Sequence, residues 1–188
     1  MSRSKVVATN EATSMRSTLV PISLVLACAA SALRAQAPPR PVPDSQTVVF
    51  VCEHGTVKSV VALAYFRQLA QRRQLPIRAI SRGTAPDTSV PRLVRDGLRL
   101  DGLTLGPFTP TRFTAADLTS AIAVISFDQP SVASLVGARV PTARWDGLPA
   151  VSENYPVARD SIRDRVARLV DSLDRARRQR GRSKRPGH

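Results

Sequence analysis

The chain has 188 residues, with 28 Lys and Arg against 14 Asp and Glu, a formal net charge of +14, and only two Cys and two His. That donor set excludes an ordinary structural zinc site, and neither a metal nor a cofactor is expected. The charge is uneven: Arg175, Arg177, Arg178, Arg180, Arg182, Lys184 and Arg185 crowd the last segment with no acid among them, while Pro38 to Asp174 carries 17 basic and 13 acidic residues, a net of +4. A basic tail attracts nucleic acid or anionic lipid electrostatically. Without aromatic residues to stack on bases, residues 175–188 read as a solvated, disordered terminus, and no specific nucleic-acid partner is expected.

The first 37 residues have the pattern of a signal peptide, with Met15 a second plausible start and an apolar run from Leu19 to Ala32 followed by small residues. The run is too short and too Ala-rich for a membrane span, which needs about twenty predominantly apolar residues. Two forms stay open: a protein exported to the bacterial periplasm, or a lipoprotein anchored to the membrane through Cys28, since Val25-Leu26-Ala27-Cys28 resembles a lipoprotein box. Residues 38–46, with Pro38, Pro39, Pro41 and Pro43, form a stiff linker. Removing the leader leaves 151 residues, the size of one domain, expected over 47–174 and as a monomer. Cys52 is then the only cysteine, so an internal disulfide is excluded.

Val48 to Val51 is an uninterrupted apolar run, expected to be a strand over Thr47–Val51 buried on both faces. Cys52 follows at once. From Val60 the pattern turns helical, with Val61, Ala62, Tyr65, Phe66 and Leu69 on one side, ending near Arg72 and Arg73. The loop between, Cys52 to Lys58, lies between a buried strand and a helix N-terminus, where backbone N–H groups and the macrodipole favour an anion. A sulfur in that field is favoured in its ionised form, which attacks electrophiles. The alternative is that Cys52 is a small buried hydrophobe. His54 reads either as a proton carrier or second ligand, or as an exposed side chain beside the mouth. Glu53 is expected to point away from an anion site.

Pro76 leads into a short strand over Ile77–Ser81, followed by Arg82-Gly83-Thr84. Asp87–Leu100 reads as a loop and a helix, with Ser89 as N-cap, Pro91 in the first turn, and Leu93, Val94 and Leu98 facing the core. Gly102–Pro110 is turn-rich, and Thr114 to Asp117 is a capping box for a single turn. Ala121–Phe127 has the length and composition of a second central strand, with Asp128 at its carboxyl end, where open α/β sheets bind ligands. A short helix over Pro130–Val136 and a strand over Thr142–Trp145 follow. Trp145 and Tyr155 suit either an aromatic wall or core packing. Asp160–Leu173 closes the domain as an amphipathic helix, with Ile162, Val166, Leu169, Val170 and Leu173 inward. Alternating strands and helices define a single α/β domain with a parallel sheet.

Cys-x5-Lys-Ser, from Cys52 to Ser59, placed directly after an apolar strand and opening a helix, resembles the phosphate-binding loop of low-molecular-weight protein tyrosine phosphatases and of the arsenate reductases built on the same fold. Ser81-Arg82-Gly83-Thr84 resembles that family's Ser-x-Gly-Thr turn. The resemblance implies a three-layer domain with a four-stranded parallel sheet and helices on both faces. It implies that Cys52 is the nucleophile, that Lys58 stands where an arginine clamps the phosphoryl oxygens, and that Ser59 hydrogen-bonds the sulfur. The substrate cradle would comprise Glu53, His54, Gly55, Thr56, Val57, Lys58 and Ser59.

Three departures from the family pattern stand out. Gly55 replaces an asparagine, which suits a position with φ above zero. Lys58 replaces the arginine, giving a point charge in place of a planar fork. The family's general acid is an aspartate directly before a proline. Here Leu148 precedes Pro149 and the nearest carboxylate is Asp146, which reads either as that acid or as a turn residue beside Gly147. Asp128 reads as a structural or rim residue. The resemblance implies a cysteine-dependent phosphomonoester hydrolase acting on a phosphorylated protein or small phosphoester. The alternatives are an arsenate reductase using an external thiol, because no resolving cysteines accompany Cys52, and an oxyanion-binding protein without turnover.

Overall fold

The computed structural model describes residues 46–183. The expected signal peptide over 1–37, Cys28 and the first residues of the linker lie outside the described residues, as do 184–188.

Strand β1 (Thr47–Cys52) is buried along its whole length. Its alternating side chains divide the interior: Val48 and Phe50 join the cluster containing Leu63, Phe66, Ile162, Val166 and Val170, while Val49 and Val51 pack with Phe113, Val124, Val132, Val136 and Val140. A strand buried at every position has no solvent face, so it becomes the middle of a covered sheet. Four strands, β1, β2 (Arg78–Gly83), β3 (Ala121–Ser126) and β4 (Thr142–Arg144), run parallel in the order β2-β1-β3-β4. Helices α1 (Lys58–Arg72), α2 (Arg92–Leu100) and α4 (Tyr155–Ser183) bury residues in the first cluster, and α3 (Ser131–Val136) in the second. The domain is the expected three-layer α/β sandwich. Phe50, Phe66 and Phe127 are among its largest fully buried side chains, each stabilising the fold by about 1.5–3 kcal/mol.

Differences from the expected elements have local causes. Helix α2 starts after Pro91, which occupies the N-cap position without a side-chain cap, so Ser89 is not the cap. Leu93 is 47% exposed, whereas Val94, Gly97 and Leu98 are buried. The helix rolls its glycine inward because the Tyr155 ring packs there: a Cβ on Gly97 would come within 2.2 Å of it. Trp145 packs half-buried against the core, edge-on to Phe127 at 5.6 Å and 6.1 Å from Phe50, while the Tyr155 hydroxyl is held by Asp101, so the two build no common wall. Helix α4 begins at Tyr155 and continues through Arg175 and Arg182 to Ser183, well past the expected end at Leu173. Residues 175–183 are therefore helical, not a disordered tail. Arg178 pairs with Asp174 at i,i+4, Arg177 donates to the Gln74 carbonyl, and five of the nine residues are Arg, a good helix former. The capping box forms as expected: the Thr114 N–H donates to Asp117 Oδ2 at 2.9 Å and opens the turn Ala115–Leu118.

Candidate active site

Cys52 ends β1 at the carboxyl edge of the sheet, beside Gly83 at the end of β2. The following loop turns back at Gly55, whose φ of +66° is open to glycine at little cost. A Cβ at Gly55 would stand 2.6 Å from the Gly83 nitrogen, and one at Gly83 would stand 2.9 Å from the Gly55 nitrogen. Two glycines thus let the loop lie directly on the end of β2. Three backbone bonds strap it there: Thr84 N–H to the Cys52 carbonyl at 3.1 Å, Ala85 N–H to that of Glu53 at 2.8 Å, and Asp87 N–H to that of His54 at 3.1 Å.

The strapped loop curls around the sulfur. Gly55 N–H donates to Cys52 Sγ at 3.2 Å, and the Ser59 hydroxyl lies 3.0 Å from it. The Ser81 hydroxyl, 1% exposed, lies 2.8 Å from Ser59 Oγ and 3.0 Å from the Gly55 carbonyl, and its one proton serves one acceptor at a time. When Ser81 donates to Ser59, the Ser59 proton is directed to the sulfur. Cys52 is only 6% exposed and belongs to the core cluster, yet its Sγ has polar partners, unlike a cysteine used as an aliphatic filler. Ser81 was visible in the sequence only within the Ser-x-Gly-Thr resemblance, because nothing local marks a strand serine as facing a loop 22 residues away.

The sulfur opens into a cleft of about 280 Å³ lined by Cys52, Glu53, His54, Val57, Lys58, Phe127, Asp128, Gln129 and residues 150–152. A second cleft, about 340 Å³, lies between α2 and the 103–108 loop and is lined by Leu98, Leu103, Leu105 and Phe108 with no cysteine, histidine or acid. The chemistry belongs to the first. There Lys58 does not turn to the sulfur: its Nζ donates to Asp128 Oδ2 at 2.7 Å and to the Leu148 carbonyl at 3.0 Å. Asp128, at φ +53°, also accepts the Gly147 N–H at 3.0 Å. Burial pushes the Asp128 carboxyl up, but the Lys58 hydrogen bond, the Gly147 N–H and the charges of Lys58 and Arg165 outweigh it and hold the group below the usual carboxylate range.

Asp146 is placed differently from the expectation. Its Oδ1 accepts the Asp128 N–H at 3.1 Å, its Oδ2 pairs with Arg144, and it does not line the cleft. The chain turns at Gly147 with both carboxylates engaged in fastening that turn, so the aspartate facing the cleft is Asp128, read from sequence as a rim residue. His54 and Glu53 do line the cleft, their side chains 49% and 61% exposed. His54 Nδ1 is 3.3 Å from Asp87 Oδ1, and Asp87 Oδ2 accepts the hydroxyl of fully buried Thr56 at 2.9 Å. Asp87 went unnoticed in the sequence as a site residue because it belongs to the loop before α2, 33 residues beyond His54.

The chain has the fold of low-molecular-weight phosphotyrosine phosphatases and arsenate reductases of known structure. Among similar solved structures is a low-molecular-weight phosphotyrosine phosphatase from Vibrio cholerae, 19% identical, covering 69% of this chain and 97% of its own, with a TM-score of 0.62. YwlE from Bacillus subtilis is 22% identical over 69% of this chain and 99% of that one, with a TM-score of 0.61, and another structure describes YwlE as an arginine phosphatase. An arsenate reductase from Archaeoglobus fulgidus is 26% identical over 66% of this chain and 98% of that one, with a TM-score of 0.53. No protein-family model and no curated protein matches the sequence.

Proposed function

We propose that the protein is a phosphomonoester hydrolase that works through a phosphocysteine intermediate. The observation that carries this reading is the sulfur of Cys52, held by the Gly55 N–H and the Ser59 hydroxyl at the base of a cleft that also holds Lys58 and His54. Cys52 attacks phosphorus as a thiolate, the loop 53–59 receives the phosphoryl oxygens, and Lys58 contributes positive charge at the rim. Water then attacks the phosphocysteine, and the sulfur departs with its electron pair, assisted by Ser59. Phosphorylated proteins or small phosphoesters are the substrate class.

One observation favours a second reading, an oxyanion-binding protein without turnover: Lys58 is spent on Asp128 and Leu148. Rapid-mixing assays with p-nitrophenyl phosphate separate the two. Hydrolysis predicts a burst of p-nitrophenol equal to the enzyme present, abolished in Cys52→Ser. Binding of inorganic phosphate with no burst supports the second reading. Arsenite production dependent on an added thiol would instead assign the site to arsenate reduction.

A further inference from the structure

The hydrolase reading leaves the source of protons open. A leaving alkoxide or phenoxide needs a donor, and water attacking the phosphocysteine needs an acceptor. The two aspartates at the end of β3 and in the 146–149 turn are engaged as acceptors: Asp128 by Lys58 and the Gly147 N–H, Asp146 by the Asp128 N–H and Arg144.

His54 is placed otherwise. It lines the cleft beside Cys52, two residues along a loop strapped to the 84–87 segment. Asp87 stands against its Nδ1, and Asp87 is itself fixed by Thr56. A carboxylate on that side orients the ring, leaving Nε2 for exchange. Nε2 is 3.8 Å from Glu53 Oε2, beyond hydrogen-bond reach. The other charged groups around the cleft are Lys58 on α1 and Asp128 after β3, already paired with each other.

We infer that His54, positioned by Asp87, is the proton donor and acceptor of this site, an inference that rests on the hydrolase reading. As Cys52 Sγ bonds to phosphorus and the bond from phosphorus to the ester oxygen breaks, His54 Nε2–H gives its proton to that oxygen, which leaves as an alcohol. The neutral ring then takes a proton from water as the water oxygen bonds to phosphorus. The S–P bond breaks, thiolate sulfur returns, phosphate departs and His54 is again protonated.

The test compares phenyl phosphate, a poor leaving group, with p-nitrophenyl phosphate, a good one, in full-length wild type, His54→Gln, Glu53→Gln, Asp128→Asn and Asp146→Asn. A proton donor matters most when the leaving group is poor. The phenyl to p-nitrophenyl rate ratio should therefore fall by about tenfold to about a hundredfold in His54→Gln, and in the same direction in Asp87→Asn. In His54→Ala, added imidazole should restore phenyl phosphate turnover, which a merely structural role would not permit. An unchanged ratio in His54→Gln, or a collapse confined to a carboxylate variant, overturns the role of His54 while leaving the hydrolase reading intact. Absence of Cys52-dependent turnover of either ester in the wild type removes the hydrolase reading, and the inference with it.

Discussion

Lys58 Nζ lies 2.7 Å from Asp128 Oδ2, joining the first residue of α1 to the end of β3 across 70 positions of sequence. That contact occupies the cation which the phosphatase resemblance assigns to the phosphoryl group. It also ties the 146–149 turn to the mouth of the cleft through the Leu148 carbonyl and the Gly147 N–H. One ion pair therefore fixes both the position of Lys58 and the rim of the cleft.

Its pH dependence follows from the sign of the shift. A carboxyl whose folded-state value is depressed contributes stability that is present above its unfolded value, about 3.9, and is lost as pH falls through the folded value. Asp128→Asn should lower the melting temperature at neutral pH, and its difference from wild type should narrow below about pH 4. Thermal melts of both proteins across that range are the measurement. A gap that stays constant would deny the depressed carboxylate.

Gly55 and Gly83 test the seating of the loop. Ala at Gly55 meets both a backbone at 2.6 Å and a φ of +66°, whereas Ala at Gly83 meets the contact without that φ. Both should destabilise the domain and weaken phosphate binding, with Gly55→Ala worse by about 1–2 kcal/mol, the cost of a left-handed conformation for a residue with a Cβ. Denaturant unfolding and phosphate titration by calorimetry would show it. Equal tolerance at the two positions would mean the loop can lift off β2.

The serine relay should act on breakdown of the intermediate. A hydrogen bond to a charged acceptor contributes about 1.5–3 kcal/mol, and the sulfur regains its charge when the phosphocysteine is hydrolysed. Ser59→Ala should therefore slow steady-state turnover by about tenfold or more while leaving a clear burst. Ser81→Ala, one hydroxyl removed, should do the same more weakly. Loss of the burst in Ser59→Ala, with unchanged breakdown of trapped intermediate, would contradict this order.

The two tyrosines provide a readout of the α1–α2–α4 junction. Tyr65 and Tyr155 both donate to Asp101 Oδ2, at 2.9 and 3.0 Å, and Arg159 donates to Oδ1 at 2.7 Å. Burial first, then the Asp101 carboxylate, pushes both phenols well above their ordinary value. Because the folded values are raised, the stability they contribute is complete below the unfolded value of about 10 and is lost as pH climbs beyond it. Since the chain has just two tyrosines, alkaline titration of tyrosinate absorbance should show no ionisation until the fold melts. In Asp101→Asn both signals should move down. A separate tyrosinate step in the intact wild type would argue that one phenol is free.

Much of this domain was already legible in its residues. Val48 to Val51 can only be a covered strand, the 3.6-residue rhythm after Val60 can only bury one side, and Cys52 followed by Gly55, Lys58 and Ser59 marks the strand-to-helix loop, since each of these depends on neighbours in sequence. Which groups then meet at that loop depended on the parallel register. Placing β2 and β3 on either side of β1 brings Ser81 under Ser59, Asp87 against His54, and Asp128 onto Lys58. These are encounters between residues 22 to 70 apart. Crossover connections bring such distant residues to the same sheet edge, and no local pattern of hydrophobicity or spacing encodes which of two nearby carboxylates a turn will present.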